Sequence, residues 1–148
     1  MEITVAFTYP KKFKVGAKFI SLYINRPYSH VCIYWKSAKL DRTLVYHAAH
    51  GKVHFLELNN LLKENNIIKT HTIKVTEDEY NFLIQKCVDL AGQNYSFLGL
   101  LVLGARDVLS RLKIKTELKD TKGYFCSELM ACLLKIVFNK PFSFRDLS

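Results

Sequence analysis

The run His-Val-Cys-Ile-Tyr-Trp at residues 30–35 constrains the fold more than any other segment of this chain. It is rich in β-branched and aromatic residues, which favour strands, and it is apolar on both faces. Successive side chains of a strand point to opposite sides of a sheet, so a strand of this composition must be covered on both sides. The run therefore predicts a central strand of a sheet that is packed on both faces.

Strand patterns fill mainly the first half of the chain and helical patterns mainly the second. Alternating or apolar runs predict further strands at residues 3–8, 17–24, 43–48, 52–58 and 70–75. Helical spacing and start signals predict helices at residues 58–64, 76–92, 97–112 and 126–138. No repeat or linker separates these segments, and 148 residues suit one core. We therefore expect a single α+β domain over residues 1–148.

The chain carries 22 Lys and Arg against 13 Asp and Glu, a net charge of +9. The excess is spread out, which favours contact with nucleic acid, anionic lipid or an acidic cell-wall polymer without choosing among them. The first residues do not form a secretory signal, and the longest apolar stretch, residues 97–105, is too short to cross a bilayer. We therefore expect a protein that is cytoplasmic as synthesised, and a phage-encoded protein released by lysis would fit.

One of the four cysteines stands apart from the others. Cys32, Cys87 and Cys132 lie in apolar segments and are expected to be buried thiols, and no Cys-x-x-Cys pair is present. Cys126 lies where a glycine-containing aromatic loop becomes an apolar helix. The N–H groups and the dipole at a helix start favour a thiolate, so Cys126 is a candidate nucleophile, although packing alone also explains most helical cysteines.

A nucleophilic cysteine needs an imidazole as its base, and that imidazole needs a third group to orient it. His30 opens the central strand and His47 comes near the end of the next one. If these strands are neighbours, the two imidazoles lie side by side at one end of the sheet. The spacing of His47, His50 and His54 also suggests a metal site, but strand parity separates the first two and no acidic or cysteine ligand is near. We expect no metal and no cofactor.

Three strings of this chain resemble a known family. They are Tyr-Ser-His-Val-Cys-Ile at 28–33, Val-Tyr-His-Ala at 45–48 and Tyr-Phe-Cys-Ser-Glu-Leu at 124–129. They resemble the permuted NlpC-type papain-like superfamily, and within it the YiiX/YaeF-like branch. Residues 93–99 and 142–147 are similar to two further segments of that pattern. The most specific feature of the resemblance is the order of these residues in the chain, because the histidine precedes the cysteine as a circular permutation requires.

The resemblance implies a circularly permuted papain-like fold, with a small antiparallel sheet or partial barrel packed on about three helices. It also implies Cys126 as nucleophile, His30 as general base and His47 as the third, orienting residue. The chain departs from the pattern at His47, where the family often has glutamate, at Ser96, where aspartate is common, and at Phe144, where proline is common.

The function expected on these grounds is a thiol hydrolase that cleaves an amide bond, in a peptide or a peptidoglycan peptide, through an acyl-enzyme on Cys126. Tyr124 and Tyr28 are candidate oxyanion donors. One alternative on the same fold is a lipid-directed acyltransferase or thioesterase acting on a lipid-type acyl substrate. Another is a catalytically inactive basic module that binds nucleic acid or an anionic surface.

Overall fold

The computed structural model describes residues 1–49, 51–94 and 133–134. Within them the chain forms five strands and three helices. In order these are β1 (Glu2–Pro10), α1 (Val15–Ile24), β2 (His30–Ser37), β3 (Arg42–Ala49), β4 (Lys52–Glu57), α2 (Leu58–Glu64), β5 (Asn65–Lys74) and α3 (Glu77–Leu90). The helices predicted at 97–112 and 126–138 fall outside the described residues, apart from Leu133 and Leu134, which are helical.

The five strands form one antiparallel sheet in the order β4-β3-β2-β1-β5. The strand predicted from the run at 30–35 is confirmed, and β2 is the middle strand of the sheet. Together with the three helices this confirms the α+β class.

Both faces of the sheet are covered, as the composition of β2 predicts. On one face, which we call the α3 face, Val31 and Ile33 are buried with Leu83 and Cys87 of α3. Leu133 and Leu134 belong to the same cluster. On the other face, which we call the α2 face, a smaller cluster forms. Its buried members are Ala6, Cys32, Val45 and Leu61.

The strand predicted at residues 17–24 is wrong, because this segment belongs to helix α1. The run is apolar at nearly every position, so alternation and helical spacing are both present and neither decides the element. Val15, Phe19 and Leu22 follow the helical spacing. The helix ends at Asn25, whose left-handed φ of 53° turns the chain and whose N–H bonds to the Leu22 carbonyl.

The remaining elements agree with the sequence patterns, with changes at their ends. Helix α2 has the predicted bounds, whereas β5 begins at Asn65, five residues before the predicted start. The helix predicted from residue 76 is confirmed as α3, with a capping box. Thr76 accepts from the N–H of Glu79, and Glu79 accepts from the N–H of Thr76.

Candidate functional site

Three histidines lie in a row on the neighbouring strands β2, β3 and β4. His30 is the first residue of β2, and His47 of β3 pairs directly with His54 of β4. The Nε2 of His30 lies 3.0 Å from the Nδ1 of His47, and the Nε2 of His47 lies 3.1 Å from the Nε2 of His54. The structure therefore brings His30 and His47 together and adds His54 as a third member. We call these three residues the imidazole series.

The carbonyl of Lys52 sets the direction of hydrogen bonding in the neutral imidazole series. A carbonyl only accepts, so the Nδ1 of His54, 3.3 Å from the Lys52 oxygen, carries a proton. The Nε2 of a neutral His54 then accepts from His47, and the Nδ1 of His47 in turn accepts from the Nε2 of His30. This leaves the lone pair of His30 on its Nδ1. The basic atom of the series is therefore that nitrogen.

A single proton added to the neutral imidazole series is shared by the three rings and is not fixed on one of them. If it arrives at Nδ1 of His30, the direction of the hydrogen bonds is kept and His30 is an imidazolium. If it arrives at Nε2 of His54, both hydrogen bonds reverse and His30 ends with a proton on Nδ1 and no lone pair there. His47 is only 5% exposed, whereas His30 and His54 are half-buried. Protons therefore enter the series at its ends.

The imidazole series lines a cleft of about 490 Å³ on the α2 face of the sheet. Gly16, Ala17 and Ile20 of α1 form part of the wall, together with residues of α2. The ion pair between Lys14 and Glu64, 3.8 Å from nitrogen to oxygen, is also in the wall. A cleft of this size accommodates a small molecule or a short segment of a polymer.

Two predicted site residues, Cys126 and Tyr124, lie outside the described residues, as does His50. Tyr28 is placed on the α3 face, where its ring packs against Phe7 with the centroids 4.6 Å apart. It is therefore not with the imidazole series, whose members line a cleft on the other face.

Of the helix predicted at residues 126–138, the structure describes Leu133 and Leu134. Both side chains are fully buried on the α3 face, opposite the imidazole series.

The contact of His54 with His47 was missed by the sequence reasoning, in which His54 was one of five candidate imidazoles and a possible metal ligand. A usable signal was present. His47 and His54 are each two residues from the last pair of the hairpin, Ala49 with Lys52, so they face each other across the two strands. The hairpin register therefore places the two rings together.

The imidazoles bond to one another in series and do not converge on a common point. Among the described residues, no group of three or more His, Cys, Asp or Glu side chains could hold a metal ion. No described helix is long and apolar enough to cross a membrane.

Comparison with known proteins supplies no name for this site. No family model matches the chain, and no curated protein matches it. The function is therefore inferred from the residues and their geometry.

Proposed function

We propose that the chain is a thiol hydrolase of permuted papain-like architecture that cleaves an amide bond. Cys126 is the nucleophile, His30 is the general base and His47 orients His30. The observation that carries the proposal is the imidazole series, in which the hydrogen bond to His47 leaves the lone pair on Nδ1 of His30. A base needs a lone pair and a fixed ring, and the hydrogen bond to His47 assigns the lone pair to Nδ1 and holds the ring.

In the proposed reaction the thiol proton of Cys126 moves to Nδ1 of His30, and the thiolate attacks the carbonyl carbon of the substrate. The backbone N–H of Cys126 and the hydroxyl of Tyr124 are the proposed donors to the oxyanion. The imidazolium then gives its Nδ1 proton to the leaving amine, which leaves an acyl-enzyme. Water, deprotonated by the same nitrogen, attacks this thioester and releases the acid and the free thiol.

The orienting residue is a neutral imidazole, so it brings no fixed negative charge to the His30 imidazolium. The hydrogen bonds of the imidazole series supply part of the stabilisation that a negative charge would give, because His47 accepts from His30 while it donates to His54. His54 is half-buried, so the far end of the series reaches water. The positive charge is thus stabilised along three rings rather than by one carboxylate.

Selective alkylation of the cysteines tests the proposal without knowledge of the substrate. At about pH 6 an ordinary thiol is almost fully protonated, so iodoacetamide should label Cys126 much faster than an unfolded thiol. Cys32 and Cys87 are fully buried and serve as internal references, and burial raises the pKa of Cys87 to about 12. Peptide mass spectrometry measures the four rates. Labelling of Cys126 at the rate of an unfolded thiol would contradict the proposal.

The required proximity of Cys126 and His30 has its own test. The ring nitrogens of His30, followed by ¹⁵N NMR during a pH titration, should shift their midpoint when Cys126 is replaced by alanine. His71 of β5 is the control, because it belongs to a different strand and lies outside the imidazole series. If the midpoint of His30 moves no more than that of His71, Cys126 is not the group that His30 serves.

The same groups could transfer an acyl chain from a lipid, because a thiolate attacks ester and thioester carbonyls by the same steps. One observation favours this second candidate, which is the exposed apolar surface of α1 beside the cleft. Release of fatty acid from a lipid ester, set against release of an amine from a peptide or a peptidoglycan fragment, separates the two. Loss of either activity in Cys126→Ala would assign it to this site.

A further inference from the structure

Helix α1, together with Phe13 just before it, presents large apolar side chains to the outside of the molecule. Phe13, Val15 and Leu22 are 79%, 73% and 67% exposed, and Phe19 is 44% exposed. Val15, Phe19 and Leu22 are spaced four and three residues apart, which places them on one side of the helix. We call these four residues the outer face of α1. Single exposed apolar residues are common on proteins, but a grouped set of this size marks a contact surface.

The chain segment that carries the outer face is basic and contains no acid, although Glu64 of α2 pairs with Lys14. Residues 3–40 include no Asp or Glu, while Lys11, Lys12, Lys14, Lys18 and Arg26 flank or belong to α1. Lys12, Lys18 and Arg26 are exposed, and none of them forms an ion pair within the described residues. The surface therefore joins large apolar side chains with exposed positive charges close to them in the chain.

We propose that the outer face of α1 docks on the surface of an anionic lipid bilayer. The apolar side chains would enter the boundary between headgroups and acyl chains, and the lysines would lie among the anionic headgroups. Lysine suits this position because its apolar stem can be buried while its ammonium group stays in the polar layer. Exposed apolar residues on a short helix, with cations on it and in the segments beside it, are together typical of interfacial helices.

Charge distinguishes the bilayer from the other possible occupants. A second copy of the chain would bring the same basic surface against itself across a twofold axis, which is repulsive. Residues 95–148 carry nine Lys and Arg against five Asp and Glu, so this segment of the chain has the same sign of net charge as the surface of α1. A nucleic acid would bind the lysines through its phosphates. Its phosphates would gain nothing from covering phenylalanine and leucine side chains.

The opposite side of α1 lines the cleft of the imidazole series through Gly16, Ala17 and Ile20. One helix thus separates the cleft from the proposed lipid surface, and docking would hold the cleft beside the bilayer. The docking itself does not depend on the chemistry proposed for Cys126.

Vesicle sedimentation of the full chain tests the docking. The chain should sediment with vesicles of phosphatidylcholine and phosphatidylserine, but not with phosphatidylcholine alone, and added salt should weaken the binding. Leu22→Ser should lower the affinity roughly tenfold or more, since it removes one buried apolar side chain. Lys18→Glu should lower it about fivefold or more, by loss of one cation near the headgroups.

Matched variants on other surfaces control for unspecific effects. Val88→Ser changes a residue of α3 that is 55% exposed, and Lys39→Glu reverses a charge in an exposed turn. Both should bind vesicles like the unaltered chain. Circular dichroism confirms that each variant is folded, and the alkylation rate of Cys126 in Leu22→Ser reports separately on the proposed hydrolase site.

Three results would overturn the docking. One is an unaltered chain that ignores the anionic vesicles, as expected if another part of the chain covers α1. Another is equal loss of binding in Leu22→Ser and Val88→Ser. The third is a dimer in sedimentation velocity that Leu22→Ser dissociates, because the outer face would then bind a second copy.

Discussion

At the scale of single residues, the tautomer of His30 is set by a group that it does not touch, the carbonyl of Lys52. The carbonyl of Lys52 fixes the proton of His54, and two imidazole hydrogen bonds carry that choice to the Nδ1 of His30. The direction of one hydrogen bond fixes the direction of the next, because a neutral imidazole donates at one nitrogen and accepts at the other. His54 is thus a positioning residue in the proposed reaction, although it lies two rings from the base.

Removal of the His54 ring should therefore change the tautomer of its neighbours. In His54→Ala, His47 loses the acceptor of its Nε2 proton, so both its tautomers and both those of His30 should become populated. Histidine ¹⁵N shifts measure the tautomers. We expect Cys126 alkylation to slow about tenfold, which is the size of loss seen when a metal-ligating histidine loses the group that orients its ring. His54→Gln, whose amide oxygen can accept near the former Nε2, should restore the rate. An unchanged tautomer of His47 in His54→Ala would contradict this role.

Tyr46 has a buried hydroxyl that contributes little to the stability of the fold. Its hydroxyl has no hydrogen-bond partner among the described residues, and burial together with the neighbouring Cys87 raises the pKa of Tyr46 above its ordinary range. Replacement by phenylalanine removes this desolvated hydroxyl and keeps the ring. Urea unfolding of Tyr46→Phe should show unchanged stability or a gain of up to about 1 kcal/mol. A loss of that size would show that the hydroxyl is hydrogen-bonded.

At the scale of elements, the sequence predicts those that a few neighbouring residues specify. It misses those whose residues fit a helix and a strand equally well. The start of α3 is readable from Thr76 and Glu79 because the capping box is local chemistry. The identity of α1 is not readable, because it is apolar towards both the cleft and the outside, and such a segment fits helix and strand equally. The first residues of β5 were missed because the asparagines at 65 and 66 are poor strand formers.

The capping box of α3 should contribute measurably to stability. Thr76→Ala removes the oxygen that accepts from the N–H of Glu79, and we expect a loss of about 1 kcal/mol in the free energy of unfolding. Thr76→Ser keeps the oxygen and should lose much less. Urea denaturation of both variants makes the comparison, and equal losses would mean that the methyl group rather than the cap matters.

At the scale of the whole molecule, the site depends on long-range assembly. The β3–β4 hairpin brings His47 to His54, the pairing of β2 with β3 brings His30 to His47, and α1 and α2 close the cleft around them. Sequence could predict the first two contacts from neighbouring strands and hairpin symmetry. The cleft could not be predicted, because it depends on how α1 packs on the sheet, and no residue pattern in α1 specifies that.

The core on the α3 face should make folding stability depend on alkaline pH. Burial raises the pKa of Cys87 to about 12, so between its ordinary value and that pH the unfolded chain loses a proton that the folded chain keeps. The free energy of unfolding should therefore fall as the pH rises above about 9. Cys87→Ala should flatten this fall in thermal melts, whereas Ile3→Val, which removes a buried methyl group and no titrating group, should not. Equal slopes in both variants would contradict the assignment.

The most direct test of the proposed thiolate–imidazole pair is the pH profile of Cys126 alkylation. If His30 is the base, the rate should remain high well below the ordinary pKa of a thiol, about 8.5, and His30→Ala should move the profile up to that value. His71→Ala is the matched control and should leave the profile unchanged. A profile for the unaltered chain that rises only near the ordinary thiol pKa, and that His30→Ala does not move, would contradict the account.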